Sequence, residues 1–155
     1  MNKKQQIDNI IEKIYLIMNS WLSKYHFSAR SGGLDDTFNF SWCYDTDEIF
    51  YNFLIDESCD SDFEKLCYDY LECRYDVGIF WLSWFHELGH SETYWNLTEA
   101  EKNDGLMNLS LWDYFYSPRE MAATKWAIDF INQHIEEVKE LARDVDALRW
   151  QIYNL

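Results

Sequence analysis

Two histidines four positions apart, His86 and His90, with Glu87 between them, spell His-Glu-x-x-His inside the stretch WFHELGHSETYW, residues 84–95. On a helix, positions four apart project from one face, so the two imidazoles can meet a single tetrahedral Zn2+. Glu87 is turned by about 100° around the helix axis from His86, off the metal but within reach of a water bound there. Zinc lowers the pKa of such a water from about 16 to about 7. Glu87 can then take its proton and later hand it to a leaving amine. Gly89 costs a helix about 1 kcal/mol relative to alanine, and that cost predicts a close approach of something to the backbone there.

The segment that must carry these residues reads as a helix over 79–94, led by Ile79, Phe80, Trp81, Leu82, Trp84 and Phe85. Residues 4–25 place Ile7, Ile10, Ile14, Met18, Trp21 and Leu22 at three–four spacing, which is one apolar helical stripe. Ser31-Gly32-Gly33 breaks it. Phe38, Phe40, Trp42 and Tyr44 alternate on one face, residues 49–55 are β-branched and aromatic, and 45–48 between them read as a turn, so 38–55 is predicted to be a β-hairpin. A lone hairpin is rarely stable and needs a helix or a further strand against it. Ser61 with Glu64, and Thr98 with Glu101, fit capping boxes. The first would open a helix running to about residue 75, and Gly105 would stop the helix begun by the second. Residues 106–116 read as an aromatic-rich connection. Pro118, suited to a first helical position, opens the C-terminal helices at 118–153. Their stripe of Phe130, Ile131, Ile135, Val138, Leu141, Val145, Leu148 and Ile152 would pack on the first helix or form a short coiled-coil seam, the former being favoured. The chain is thus expected to be a single α+β domain over 1–155, mostly helical, with a small antiparallel β-hairpin or sheet beside the helix that bears the motif.

The string His86-Glu87-Leu88-Gly89-His90, followed thirty positions later by Glu120-Met121-Ala122-Ala123-Thr124-Lys125-Trp126-Ala127, resembles the zincin metallopeptidases. Within them it is most similar to the ImmA/IrrE type, over about residues 80–135. The resemblance implies a zincin-like domain, a zinc ion, hydrolysis of a peptide bond in a protein substrate, and a third ligand supplied by a glutamate on the following helix, which here is Glu120. Such proteins often belong to phages and mobile elements. Ala122 and Thr124 stand where the family often has a second acid and an asparagine. Ser117 with Glu120 also fits a capping box, so Glu120 either folds back to cap its own helix or points at the metal. Asp113, Glu99 and Glu92 are substitutes for it, while His134 and His26 read as ordinary side chains. Tyr94, Tyr114, Tyr116 and Arg119 lie in the right neighbourhood to touch substrate or to donate to a transition state. The hairpin could offer an edge for a peptide backbone to pair with.

The composition narrows what else the chain can be. Aliphatic and aromatic residues make up 48%, which is too hydrophobic for a disordered chain. Lys and Arg number 13 against 28 Asp and Glu, a net charge of −15. Direct contact with a nucleic-acid backbone, which needs clustered cations, is not expected. No segment is apolar enough to suggest a membrane span. The N-terminus lacks the pattern of a secretion signal, and Cys43, Cys59, Cys67 and Cys73 show no metal or disulfide spacing, so reduced thiols and a cytoplasmic location are expected. The partner would be a protein substrate or a basic protein, and the chain a monomer or a helix-mediated dimer. The acidic charge also supports an alternative: a non-enzymatic interaction or inhibitor protein of a phage or mobile element, of the DNA-mimic or anti-defence type, built on a zincin-like scaffold.

Overall fold

Asn2 opens the first helix. Its side chain accepts from the Gln5 N–H at 2.8 Å and the Gln5 side chain accepts from the Asn2 N–H at 3.0 Å, a reciprocal cap. The structure is a computed structural model that describes residues 1–34, 40–51, 65, 69, 77–103 and 111–155. Helix α1 (Lys3–Lys24) buries Ile10, Ile14, Met18 and Leu22, the stripe read from the sequence. Three short strands follow: β1 (Arg30–Leu34), β2 (Phe40–Cys43) and β3 (Glu48–Tyr51). Then come α2 (Ile79–Thr93), a 3-10 turn at Tyr94–Asn96, α3 (Glu99–Asn103), α4 (Leu111–Phe115), α5 (Pro118–Gln133) and α6 (Ile135–Tyr153). The fold is α+β and mostly helical. None of the described helices is long and apolar enough to cross a membrane.

The sheet is mixed, with β3 in the centre of the order β1-β3-β2. Strands β2 and β3 form the expected hairpin, Trp42 opposite Ile49 and Phe40 opposite Tyr51. Asp47 closes its turn at φ 53, a left-handed conformation that aspartate tolerates better than most residues. Strand β1 is a correction to the sequence reading, which took Ser31-Gly32-Gly33 for a break. It pairs parallel with β3 and carries an irregularity between Ser31 and Leu34. The physical reason is crowding: a Cβ on Gly32 would lie 2.9 Å from the Glu48 carboxylate and 3.3 Å from the Ile49 carbonyl oxygen. A residue without a side chain is what lets this strand approach its neighbour.

Helix α2 is the middle of the molecule. Phe80, Trp81, Trp84, Phe85 and Leu88 are fully buried, and the rings of Trp21, Phe85 and Phe130 meet at 5.6–5.8 Å. Each such aromatic pair contributes about 0.5–1.5 kcal/mol beyond its area. One side of α2 faces the sheet, the other α5, and Trp21 of α1 meets its Trp84 and Phe85 rings. The apolar stripe of α6 packs on α1 within the chain, burying Val138, Leu141, Val145 and Ile152. The C-terminal region is two helices, divided at His134, whose ring stacks on Phe130 at 4.5 Å. Thr98 and Glu101 form the expected reciprocal cap of α3. The helix expected from Ser61, the stop at Gly105, the outer ends of the hairpin and Cys59, Cys67 and Cys73 lie outside the described residues. Cys43 is half-buried and free.

Candidate metal centre

Helix α2 is apolar nearly all round, so its polar residues are buried along with the rest. His86 and His90 are 8% and 7% exposed, and a buried imidazole needs a polar partner. Helix α5 provides one. Gly89 sits where α5 crosses, and a Cβ there would collide with the carbonyl oxygen of Ala123. This close crossing brings Glu120 and Thr124, one turn apart on α5, to the two histidines of α2.

Glu120 is 4% exposed. Its Oε2 lies 2.7 Å from His90 Nε2 and its Oε1 lies 3.6 Å from His86 Nε2. Of the two alternatives for Glu120, the capping box at the start of α5 is absent: Ser117 makes no side-chain cap and its hydroxyl donates to the Tyr114 carbonyl at 2.7 Å. Burial alone would raise the Glu120 carboxyl, but hydrogen bonding and charge from the two imidazoles prevail and hold it well below the usual carboxylate range. Its Oε2 is nonetheless buried without a hydrogen bond of acceptable geometry. The 2.7 Å contact with His90 has the length of a charge-assisted hydrogen bond; two ligands of one tetrahedral zinc would stand about 3.3 Å apart, so the side chains would part by a few tenths of an ångström around an ion. On the far side of His86, Nδ1 lies 2.9 Å from the Thr124 hydroxyl. A proton on Nδ1 leaves the Nε2 lone pair facing Glu120, the orientation a metal ligand requires. Two imidazoles and a carboxylate are a donor set that fits zinc.

Ligand atoms of His86, Glu87 and His90 lie within 4.8 Å of one another, so this buried His-Glu-x-x-His group can hold a metal ion. Glu120 also approaches both imidazoles, at 2.7 and 3.6 Å. Glu87 is half-buried, and loss of solvent pushes its carboxyl up, opposed by His90 and His86 and reinforced by Glu120. It faces a trough of about 490 Å³. Its lining includes the aromatic residues Phe40, Trp42, Tyr44 and Tyr94 and the polar residues Lys102, Asn103, Tyr114 and Arg119. Trp42 lies parallel to the His90 ring at 6.2 Å and is held by its indole N–H, which donates to Asp47 at 2.9 Å. Asp47 also accepts from Ser91 and Ser28, each at 2.6 Å. One carboxylate thus ties the hairpin turn to the motif helix.

The remaining residues singled out in the sequence divide cleanly. Tyr94, Tyr114 and Arg119 line the trough. Tyr114 hydrogen-bonds to Glu120, and burial first, then that carboxylate, pushes its phenol up. Tyr116 is 49% exposed and is not part of the lining. Asp113 and Glu99 are exposed, and Glu92 is half-buried away from the lining. His26 ends α1 at φ 61, far along the chain from the motif. Sequence reasoning missed Thr124, Trp42 and Lys102. Thr124 had a readable signal, since it falls one helical turn after Glu120 on the same face. No protein-family model matches the chain, and neither does any curated protein or solved structure.

Proposed function

We propose that the protein is a zinc-dependent peptidase in which His86, His90 and Glu120 hold the metal and Glu87 is the general base. The observation that carries this reading is the buried Glu120 carboxylate beside the two imidazoles, 2.7 Å from one and 3.6 Å from the other. Bound zinc would supply Lewis acidity and a water acidified to about pH 7. Glu87, whose carboxyl is pushed up by burial, would accept a proton from the water and return it to a leaving amine. The Tyr114 hydroxyl, which lines the trough, would be the donor to a developing oxyanion. Strand β2 has a neighbour on one side in the described sheet, and its Phe40, Ser41 and Trp42 form the trough wall along which an extended peptide would lie.

Metal analysis of protein purified without chelator tests the reading. About one zinc per chain, lost in His90→Ala, is expected, and a metal-free wild type would sink it. Glu87→Gln should keep the metal and lower peptide hydrolysis by about 10²–10⁴-fold. The net charge of −15 supports a second reading, a non-enzymatic partner of a basic protein. That reading expects binding that weakens steeply with salt and survives Glu87→Gln.

A further inference from the structure

The lining of the trough includes two cations beside the carboxylates Glu87 and Glu120, in a chain that is strongly acidic. Arg119 and Lys102 both line the trough, although Lys and Arg are outnumbered 13 to 28 by Asp and Glu. Neither side chain is a freely solvated surface group, with 21% and 14% of their area exposed. The Arg119 Nε–H is buried and has no hydrogen-bond partner. Its Nη1 reaches the Lys102 carbonyl at 3.5 Å, the limit of a hydrogen bond. An unpaired buried donor is costly, more so on a charged group.

Glu120 is an ion partner of Arg119 but does not satisfy its Nε–H. The Nε lies 3.8 Å from Glu120 Oε2, beyond hydrogen-bonding range. A metal on that oxygen would satisfy the carboxylate and leave the arginine N–H as it is. The Lys102 ammonium sits over the rings of Tyr94 and Trp95 at 4.9 and 5.2 Å, and its ion partner Glu99 is 87% exposed, so that bridge is weak. Two cations thus share one trough with the ring cluster of Trp42, Tyr44 and Tyr94.

We propose that Arg119 and Lys102 form a subsite for a carboxylate of the substrate, with the adjoining aromatic side chain seated against Trp42, Tyr44 and Tyr94. The planar fork of arginine matches a carboxylate in geometry as well as charge. The carboxylate is either the free C-terminus of a peptide or the side chain of an acidic residue. The subsite takes its place in substrate selection from the peptidase reading above, but its binding chemistry is independent of turnover.

The test is direct binding by calorimetry, with the chelated protein so that no metal competes for the carboxylate. The probes are N-acetylphenylalanine, N-acetylphenylalanine amide and N-acetyl-aspartyl-phenylalanine amide. One of the two acids should bind on the order of ten-fold tighter than the neutral amide. The first identifies a terminal carboxylate, the second an acidic side chain. The ratio of acid to amide should collapse in Arg119→Gln. If circular dichroism shows that this variant does not fold, Lys102→Gln is read instead, and its ratio should fall several-fold. No preference for either acid, a ratio unchanged in the folded variants, or equally tight binding of inorganic phosphate would overturn the proposal. Failure of zinc binding or hydrolysis in the wild type would leave this ratio untouched, so the two readings fall separately.

Discussion

Gly89→Ala puts the coupling between fold and site to a direct test. In an isolated helix the change would stabilise by about 1 kcal/mol. Here the new methyl group would sit 3.0 Å from the Cα and carbonyl carbon of Ala123, with the carbonyl oxygen closer still. Carbon atoms in ordinary contact are about 3.5–4.0 Å apart, so α2 and α5 must separate by roughly 0.5–1 Å. The obstacle is backbone and has no rotamer to change. Overpacking of this kind costs about 1–3 kcal/mol, which offsets the propensity gain and leaves a net loss of about 1 kcal/mol. The consequence for the site is larger. His86 and His90 move with α2 and Glu120 with α5, and ligand geometry tolerates only about 0.5 Å of error. Zinc affinity, measured by competition with a chromogenic chelator, should fall about 10–100-fold, while urea denaturation shows the modest loss of stability. A variant more stable than wild type with unchanged zinc affinity would refute the argument that this crossing sets the metal centre.

Thr124→Val keeps the shape of the side chain but removes the partner of His86 Nδ1; zinc affinity should drop about ten-fold or more in the same competition assay. Tyr51 is fully buried, accepts a hydrogen bond from the Ser31 hydroxyl at 2.8 Å, and has its phenol raised above the usual 10.0 mainly by burial. A raised folded pKa contributes stability that is complete below the unfolded value and is lost as pH climbs beyond it. The urea midpoint of wild type should therefore decline above about pH 10, and in Tyr51→Phe that alkaline decline should be shallower. Asp47→Ala removes the acceptor shared by Trp42, Ser91 and Ser28 and should cost about 2–3 kcal/mol in denaturant unfolding; a change under about 0.5 kcal/mol would show that the turn is not anchored as described.

Helices were the legible part of this chain because their signals are local. The stripe on α1, the apolar lead into His86 and the proline that opens α5 are all written within a few turns. The Thr98 and Glu101 cap was legible for the same reason, as both partners lie in one turn. The Ser117 and Glu120 pair has the same spacing and forms no cap, because the Glu120 carboxylate has two buried imidazoles to meet. Spacing along a chain does not disclose which of two partners wins when one of them arrives through tertiary contact. Strand β1 was hidden in the opposite sense. Its two glycines argue against a strand by propensity, yet Gly32 is needed because Glu48 and Ile49 pass so close. At the site, the motif residues were legible from their helical period, while Trp42 and Lys102 come to the trough from distant elements with no shared pattern.

His90 and Glu120 are separated by thirty positions of chain yet meet through space. A metal gripping both would be a removable crosslink between α2 and α5. Closing a loop of that length costs an unfolded chain roughly 3 kcal/mol, and a clip that acts on the folded arrangement offsets that cost only while the ion is present. Each tenfold rise in free metal above its dissociation constant would add about 1.4 kcal/mol to the docking of the two helices. Tertiary order around the trough and occupancy of the centre would then rise together along one titration curve, making the supply of metal a control on folding as well as on chemistry.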